Sequence, residues 1–298
     1  MEKVIVIIGQ TAVGKTSMSI KLAKHLNTQI INGDAMQVYK ELNIVTDKIK
    51  EEKMEGIKHH LLNIKSINED YSVEEYQNNI RKVIKQINDN NQIPIIVGGT
   101  GLYIKATLFD YTFAKESISN KEVEEFYKDK TNEELYEILL NLDPESAKSI
   151  HKNNRRRVLR AIAIYNSTGM KKSSIIENQN HQLLYDALII GLDMEKEVIN
   201  AKIDKRIEEM FDEGLVEEIK NNKTNTTASK AIGYKEVSAY LNNEISIEQA
   251  KELMKIHTHQ YAKRHRTFFK NQFDVNWVIN NEKAFDNIIK LIKDKWNI

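Results

Sequence analysis

Cysteine is absent from all 298 residues, which removes disulfide bridges, thiolate metal sites and cysteine nucleophiles together. Such a chain suits a reducing compartment. Long apolar runs are missing as well. The N-terminal stretch MEKVIVIIGQ is too short for a signal-peptide core or a membrane span, and acidic Glu2 precedes its apolar part. The expectation is a soluble, cytoplasmic protein. Internal repeats and long low-complexity tracts are also absent, which excludes a repeat array. At this length the chain buries about three-quarters of its unfolded surface, and the prior is two domains or one with a large insertion.

Net charge is only +1, but the charges are unevenly spread. Lys115 to Glu145 is acidic, whereas Ser146 to Lys172 holds no acid and carries Lys148, Lys152, Arg155, Arg156, Arg157, Arg160, Lys171 and Lys172. A second basic knot, YAKRHRTFFKN, runs from Tyr261 to Asn271. A local surplus inside a neutral total is a mark of a protein that binds an anionic polymer, although a solvated helix face gives the same pattern.

Val4 to Ile8 is an unbroken β-branched run, as for a strand buried on both faces. Further strands are expected at Gln29–Ile31, Ile93–Val97, Leu184–Leu192 and Trp277–Ile279. Pro94 stands near the start of its strand, where a missing N–H is tolerated. Helices are expected at Lys15–Leu26, Tyr71–Asn88, Asn132–Leu140 and Arg156–Tyr165. Ser72 reads as an N-cap, with Glu75 placed to complete a capping box. Alternating strands and helices imply a parallel sheet with right-handed crossovers. The strand signal vanishes between about Thr112 and Gln182. The fold class is therefore α/β, a parallel-sheet core (1–112 and 183–298) interrupted by an all-helical insertion (113–182). NNKTNTTAS, Asn221 to Ser229, reads as a mobile polar loop.

Four stretches carry chemistry. GQTAVGKT, Gly9 to Thr16, is a complete G-x-x-x-x-G-K-[ST] phosphate loop between a strand and a helix. Its backbone N–H groups would cradle a diphosphate, Lys15 would supply charge, and Thr16 would ligate Mg²⁺. Asp34 follows the second strand in INGDAMQVYKELNIVTDK. There it should face the loop across the crevice as a candidate proton acceptor, although an Asx turn after Asn32-Gly33 is the plainer alternative. Gln37 nearby could bond a base edge. The strand Ile93–Val97 ends in Gly98-Gly99-Thr100-Gly101, where many nucleotide hydrolases place an Mg²⁺-holding Asp. Those glycines would let something bulky approach the backbone. Finally, NNRRRVLRAIAIY and YAKRHRTFFKN carry the basic faces. Arg156 and Arg160 share one helical face apart from Val158, Ile162 and Tyr165. Lys263, Arg266 and Lys270 line another beside Phe268 and Phe269, which could stack on bases or sit in the core.

These residues resemble the tRNA dimethylallyltransferases, also called tRNA isopentenyltransferases. The likeness runs in order through GQTAVGKT, GDAMQVYKELNIVTDK, HHLL (His59 to Leu62), GGTGLY, NNRRRVLRA, KRIEEMFDEGLVEE (Lys205 to Glu218), KAIGYKE (Lys230 to Glu236) and AKRHRTFFKN. The resemblance implies a P-loop NTPase-like core and transfer of a dimethylallyl group from dimethylallyl diphosphate. The acceptor would be N6 of the adenine 3′ of the anticodon in tRNA. Apart from the resemblance, no self-pairing stripe stands out in the sequence, so a monomer is expected. Asp34 would take the N6 proton. Lys15, Thr16 with Mg²⁺, and Arg206 would stabilise the leaving diphosphate within a cradle of Gly9, Gln10, Thr11, Ala12, Val13, Gly14, Lys15, Thr16 and Ser17. Ala35, Met36, Gln37 and Thr100 beside Asp34, with Arg156, Arg157, Val158, Leu159 and Arg160 on the insertion, would hold the flipped base and its neighbours, and Lys263 and Arg266 would meet RNA phosphates. The chain departs from the family at Ala35, commonly Ser, and at His265 and Phe268, commonly Gln and Trp. Two other functions remain open at this stage. A P-loop nucleoside or metabolite kinase would bind ATP in the same loop, and a non-catalytic RNA-binding module would keep only the basic faces.

Overall fold

The computed structural model describes residues 1–113, 120–177 and 182–298, with the side chains of Asn120 and Lys121 left aside; parts of the expected insertion, 114–119 and 178–181, lie outside the described residues. Two compact units result. The first comprises Met1–Leu108 and Leu183–Ile298, and the second Phe109–Gln182.

The first unit is built on a six-stranded sheet, every pairing parallel, in the order β3-β2-β4-β1-β5-β6. Its strands are β1 (Lys3–Gly9), β2 (Ile30–Asn32), β3 (His59–His60), β4 (Ile95–Val97), β5 (Asp186–Asp193) and β6 (Asn276–Ile279). The central strand β1 pairs with β4 and with β5, and its residues Val4 to Ile8 are fully buried, as its β-branched run requires. The sequence reading missed β3, because two half-buried histidines carry neither the length nor the apolar run of a strand.

The helices of this unit are α1 (Lys15–His25), α2 (Val73–Asp89) and α3 (Gly101–Leu108) before the second unit, and α9 (Lys196–Asp212), α10 (Leu215–Asn221), α11 (Tyr234–Leu241), α12 (Ile247–Gln272) and α13 (Ala284–Trp296) after it; α1, α12 and α13 pack on the sheet, and α9 and α11 pack on α12. Ser72 caps α2 by accepting from the Glu75 N–H, but the expected capping box is only half made. The Glu75 carboxylate pairs with Lys65 instead, at 3.0 Å. The loop expected to be mobile is tied down: Thr224 and Thr226 donate their hydroxyls to the Ile67 carbonyl, and Thr227 bonds Asp70.

The second unit consists, in its described residues, of α4 (Asn120–Phe126), α5 (Asn132–Leu142), α6 (Pro144–Ser149), α7 (Arg155–Thr168) and α8 (Lys172–Glu177). Its core gathers Leu135 and Leu139 of α5 with Ala147, Ile150, Val158, Leu159 and Ile162. Buried Asp143 ties α6 to α8. Burial alone would raise its carboxyl pKa, yet bonds from Ser146 and Ser173 hold it below the usual range. Among the described residues no helix of either unit is long and apolar enough to cross a membrane.

Candidate active site

In a parallel sheet the C-terminal strand ends open onto the crevice where ligands bind. Three of the motif stretches leave from that edge: Gly9 ends β1, Gly33-Asp34 follows β2, and Gly98 to Gly101 follows β4. Together with α9 and α12 they line a cavity of about 1010 Å³ that takes in Thr11, Gly14, Lys15, Thr16, Asp34 and Arg206.

The phosphate loop curls through left-handed backbone at Ala12 (φ 61°) and Gly14 (φ 94°) and enters α1 at Lys15. Lys15 donates to the loop's own carbonyls, Gly9 O at 2.9 Å and Gln10 O at 2.7 Å, so its ammonium is fixed over the cradle. Its pKa is pushed down to about 8, chiefly by burial and then by the Arg206 guanidinium, while Asp34 and Asp47 pull it back up. A cation with that pKa loses its proton as pH rises through 8. Affinity for inorganic diphosphate is therefore expected to weaken between pH 8 and 9.5, by up to about tenfold per pH unit. Calorimetric titration checks this, with the permanently charged Lys15→Arg as the reference that should weaken less.

Arg206 of α9 reaches the loop from the opposite wall. Its Nη1 donates to Thr11 Oγ1 at 2.7 Å and pairs with Asp47 at 3.1 Å, while its Nε is buried without a partner. Asp47 lies near the end of the stretch that carries Asp34, and the sequence reading gave it no role of its own. That segment is clamped by Glu218 of α10, whose carboxylate accepts from the N–H groups of Asn43, Ile44 and Val45 at 2.8–2.9 Å. The exposed Thr16 and Ser17 stand at the loop's mouth.

Asp34 makes the Asx turn and also lines the cavity. Its Oδ1 accepts from the Met36 N–H at 2.8 Å, which is an Asx turn, and the half-buried carboxylate still lines the cavity with Lys15 and Arg206. Asn32 fixes the turn by accepting from the Asp34 N–H and donating to the Asp34 carbonyl. Thr100 accepts from the Ala35 N–H at 2.9 Å, joining the β2 and β4 loops. Beside Asp34, Thr11 and Arg206 opens a second chamber of about 300 Å³, lined by apolar Val45, Ile203, Ile207, Met210 and Met254 with Tyr261.

Several expectations are corrected. Gln37 does not offer its amide to a base; it donates to the Thr46 carbonyl at 3.1 Å. Val158 and Leu159, expected at the RNA, are 0 % and 4 % exposed inside the helical unit's core, because the apolar face of α7 must be buried for the unit to form. Arg155 is structural, its guanidinium donating to the carbonyls of Lys130 and Tyr127. Arg156 and Arg157 remain exposed, and the half-buried Arg160 lies close enough, with Arg157, to depress the Lys172 pKa after burial has done so. Lys263 is exposed on α12, but Arg266 is engaged by Asp193, at 2.7 and 3.0 Å, and stands over Trp277.

The glycine run also differs from expectation. The bulky groups that approach it belong to the chain itself: the His265 ring lies against Gly99 and the Phe268 ring against Gly101. Phe269 is fully buried. His265 is pushed down to about 3, first by burial and then by the Lys15 cation, so it stays neutral. Sequence reasoning flagged His265 only as a departure, and Phe268 as a departure and as a ring that could stack on bases or sit in the core. Tyr261, Asp47 and Glu218 lie within quoted stretches but were given no role of their own, and Asn280 was passed over. The position of Asn280, directly after the parallel strand β6, was the signal that could have found it.

The family model described as IPP transferase matches residues 37–272. A tRNA dimethylallyltransferase of Bacillus licheniformis is 46 % identical over 281 residues, covering 92 % of this chain and 90 % of the relative, and one of Bacillus cereus is 44 % identical over 303 residues, covering 99 % and 95 %. The crystal structure of tRNA delta(2)-isopentenylpyrophosphate transferase from Staphylococcus epidermidis superposes with a TM-score of 0.73 at 38 % identity, covering 100 % of this chain and 99 % of that one. A eukaryotic dimethylallyltransferase acting on tRNA superposes with a TM-score of 0.86 at 30 % identity, covering 99 % of this chain and 79 % of that one. With its phosphate loop, its Asp34 and no acid in Gly98 to Gly101, and with relatives alike over nearly its whole length, the chain belongs to the IPP transferase family.

Proposed function

We propose that the protein transfers a dimethylallyl group from dimethylallyl diphosphate to the exocyclic N6 of the adenine 3′ of the anticodon in tRNA, releasing diphosphate. The observation that carries this reading is the joining of two unlike spaces at Asp34. On one side lies a cationic cradle of loop N–H groups, Lys15 and Arg206, and on the other an apolar chamber of a size for a five-carbon chain and a planar base. A kinase would seat its hydroxyl acceptor beside the same carboxylate, but the aliphatic lining of Val45, Ile203, Ile207, Met210 and Met254 suits a prenyl chain better than a polar acceptor.

In the step itself, the N6 nitrogen bonds to the allylic carbon while the carbon–oxygen bond to diphosphate breaks, its electron pair leaving with the diphosphate. Asp34 accepts the N6 proton. The loop N–H groups, Lys15 and Arg206 hold the charge that grows on the leaving group. Among the described residues no cluster of three His, Asp or Glu side chains could hold a metal. Mg²⁺ keeps several waters and takes most of its remaining ligands from substrate phosphates, so it asks for few protein ligands. Thr16 is the residue that would hold it against the diphosphate, and it would supply further charge neutralisation there. The exposed Arg156 and Arg157, with Arg160, Lys172 and Lys263, are suited to RNA phosphates, and a base of the anticodon loop is extruded at a cost of only a few kcal/mol because the loop is already single-stranded.

Ligand choice tests the reading against a kinase. At a hundred times its Kd a bound ligand adds about 2.7 kcal/mol of stability. Dimethylallyl diphosphate with Mg²⁺ is expected to raise the melting temperature by several degrees and a non-hydrolysable ATP analogue to raise it much less. The reverse order would restore the kinase.

A further inference from the structure

We propose that Asn280 is a positioning residue of the phosphate cradle, aiming the Gly14 N–H at the bound diphosphate. Asn280 directly follows β6 and lies outside the residues that the family model matches. Its backbone N–H donates to the Asp193 carbonyl at 2.8 Å, which anchors it to the end of β5. Its side-chain amide donates to the Val13 carbonyl at 2.6 Å, across 267 residues of sequence.

The consequence follows from peptide geometry. Every peptide bond described is trans, so the Val13 carbonyl and the Gly14 N–H lie in one plane and point in opposite directions. Pinning the carbonyl toward Asn280 turns the N–H the other way, and Gly14 lines the cavity that the loop encloses. Without that pin this peptide is free to rotate, because Gly14 holds a φ of 94° that costs glycine little and leaves it room to move. Gly14 and Asn280 also interlock: a Cβ on Gly14 would sit 2.6 Å from the Asn280 amide nitrogen. A side chain at position 14 would therefore push the Asn280 amide aside and break its bond to the Val13 carbonyl. Preorganised donors count for most in anion binding when they need no rearrangement, which is what this contact supplies.

The inference rests on reading the loop as a diphosphate site, so the experiment separates the two. Inorganic diphosphate with Mg²⁺ is titrated calorimetrically into the full chain and into Asn280→Ala and Asn280→Asp, neither of which can donate. The wild type is expected to bind. Both variants are expected to bind about tenfold or more weakly, with melting temperatures within a few degrees of wild type. In steady state KM for the prenyl donor should rise while KM for RNA stays put, a split that a merely structural contact would not give. In wild-type protein labelled with ¹⁵N, the Gly14 amide resonance should shift on diphosphate addition, a readout that needs no variant. Variants that bind as tightly as wild type, or a Gly14 resonance that stays still while those of Lys15 to Ser17 move, would overturn the assignment of Asn280 and leave the cradle intact. A wild-type chain that binds no diphosphate would overturn the cradle itself, and this inference with it.

Discussion

Asp34→Asn is expected to lower prenyl transfer by about 10²–10⁴-fold at saturating substrates, the range that a positioned base contributes. The replacement is nearly isosteric, and its amide oxygen can still accept from the Met36 N–H, so the turn held by Asn32 survives. Melting temperature and affinity for an anticodon stem-loop should therefore stay close to wild type. One secondary effect is built in. Asp34 is among the groups that hold the Lys15 pKa up, so its loss lets Lys15 deprotonate at lower pH, and the comparison belongs at pH 7 or below. Single-turnover measurement with labelled RNA reads the chemical step directly. A variant that keeps turnover within tenfold of wild type would remove Asp34 as the base, and one whose RNA affinity collapsed would mean the carboxylate serves binding.

Gly98→Ala is expected to be the most damaging single methyl group in the α/β unit. The Cβ it adds would lie 2.2 Å from the Gly33 carbonyl carbon and 2.5 Å from its Cα, against backbone that cannot rotate away. The two segments are stitched around that point. The Gly33 N–H donates to the Val97 carbonyl at 2.7 Å, and the Thr100 N–H to the Gly33 carbonyl at 3.2 Å. Making room forces the ends of β2 and β4 apart, which strains these bonds and swings Asp34 away from Lys15. Overpacking costs about 1–3 kcal/mol and occasionally more, so the melting temperature should fall by roughly 5–10 °C. Turnover should fall along with it. A differential scan beside an activity assay distinguishes this outcome from Asp34→Asn, which loses turnover alone. An alanine variant as stable and active as wild type would show that the contact between the strand ends is not needed.

The parts of the fold legible in the sequence are those whose signals are local. The β-branched run gave β1 and an apolar run gave β5, each within two residues, and the helical pattern with Ser72 as its cap gave α2 within two residues. Phosphate-loop spacing gave Lys15 and Thr16, and the rule that ligands bind at strand ends gave Asp34. What escaped depends on partners far away in sequence. Glu75 matches a capping box, but Lys65 competes for its carboxylate. Gln37 looks like a base reader until the Thr46 carbonyl takes its amide. Val158 and Leu159 sit inside an Arg-rich motif, yet helical geometry turns them inward while Arg156 and Arg157 stay out. The glycines after β4 do announce close approach, as their residue type requires. That the approaching groups are Gly33, His265 and Phe268 was written 65 to more than 160 residues away.

Two of these neighbours, His265 and Phe268, are departures from the family, and they reach the third departure, Ala35, through the glycine segment. His265 and Phe268 pack on the segment that carries Thr100, and Thr100 in turn holds the Ala35 N–H beside Asp34. His265 also lines the cavity with Lys15, Asp34 and Arg206, so its changed identity bears on the wall of the site itself.

The most direct test of the central claim is mass spectrometry of an unmodified anticodon stem-loop RNA incubated with the protein, Mg²⁺ and either dimethylallyl diphosphate or ATP. The predicted result is one prenyl mass increment on the adenine 3′ of the anticodon, formed only with the prenyl donor and lost in Asp34→Asn. No increment with the prenyl donor, or phosphate transferred from ATP, would contradict the account and return the loop to the kinases.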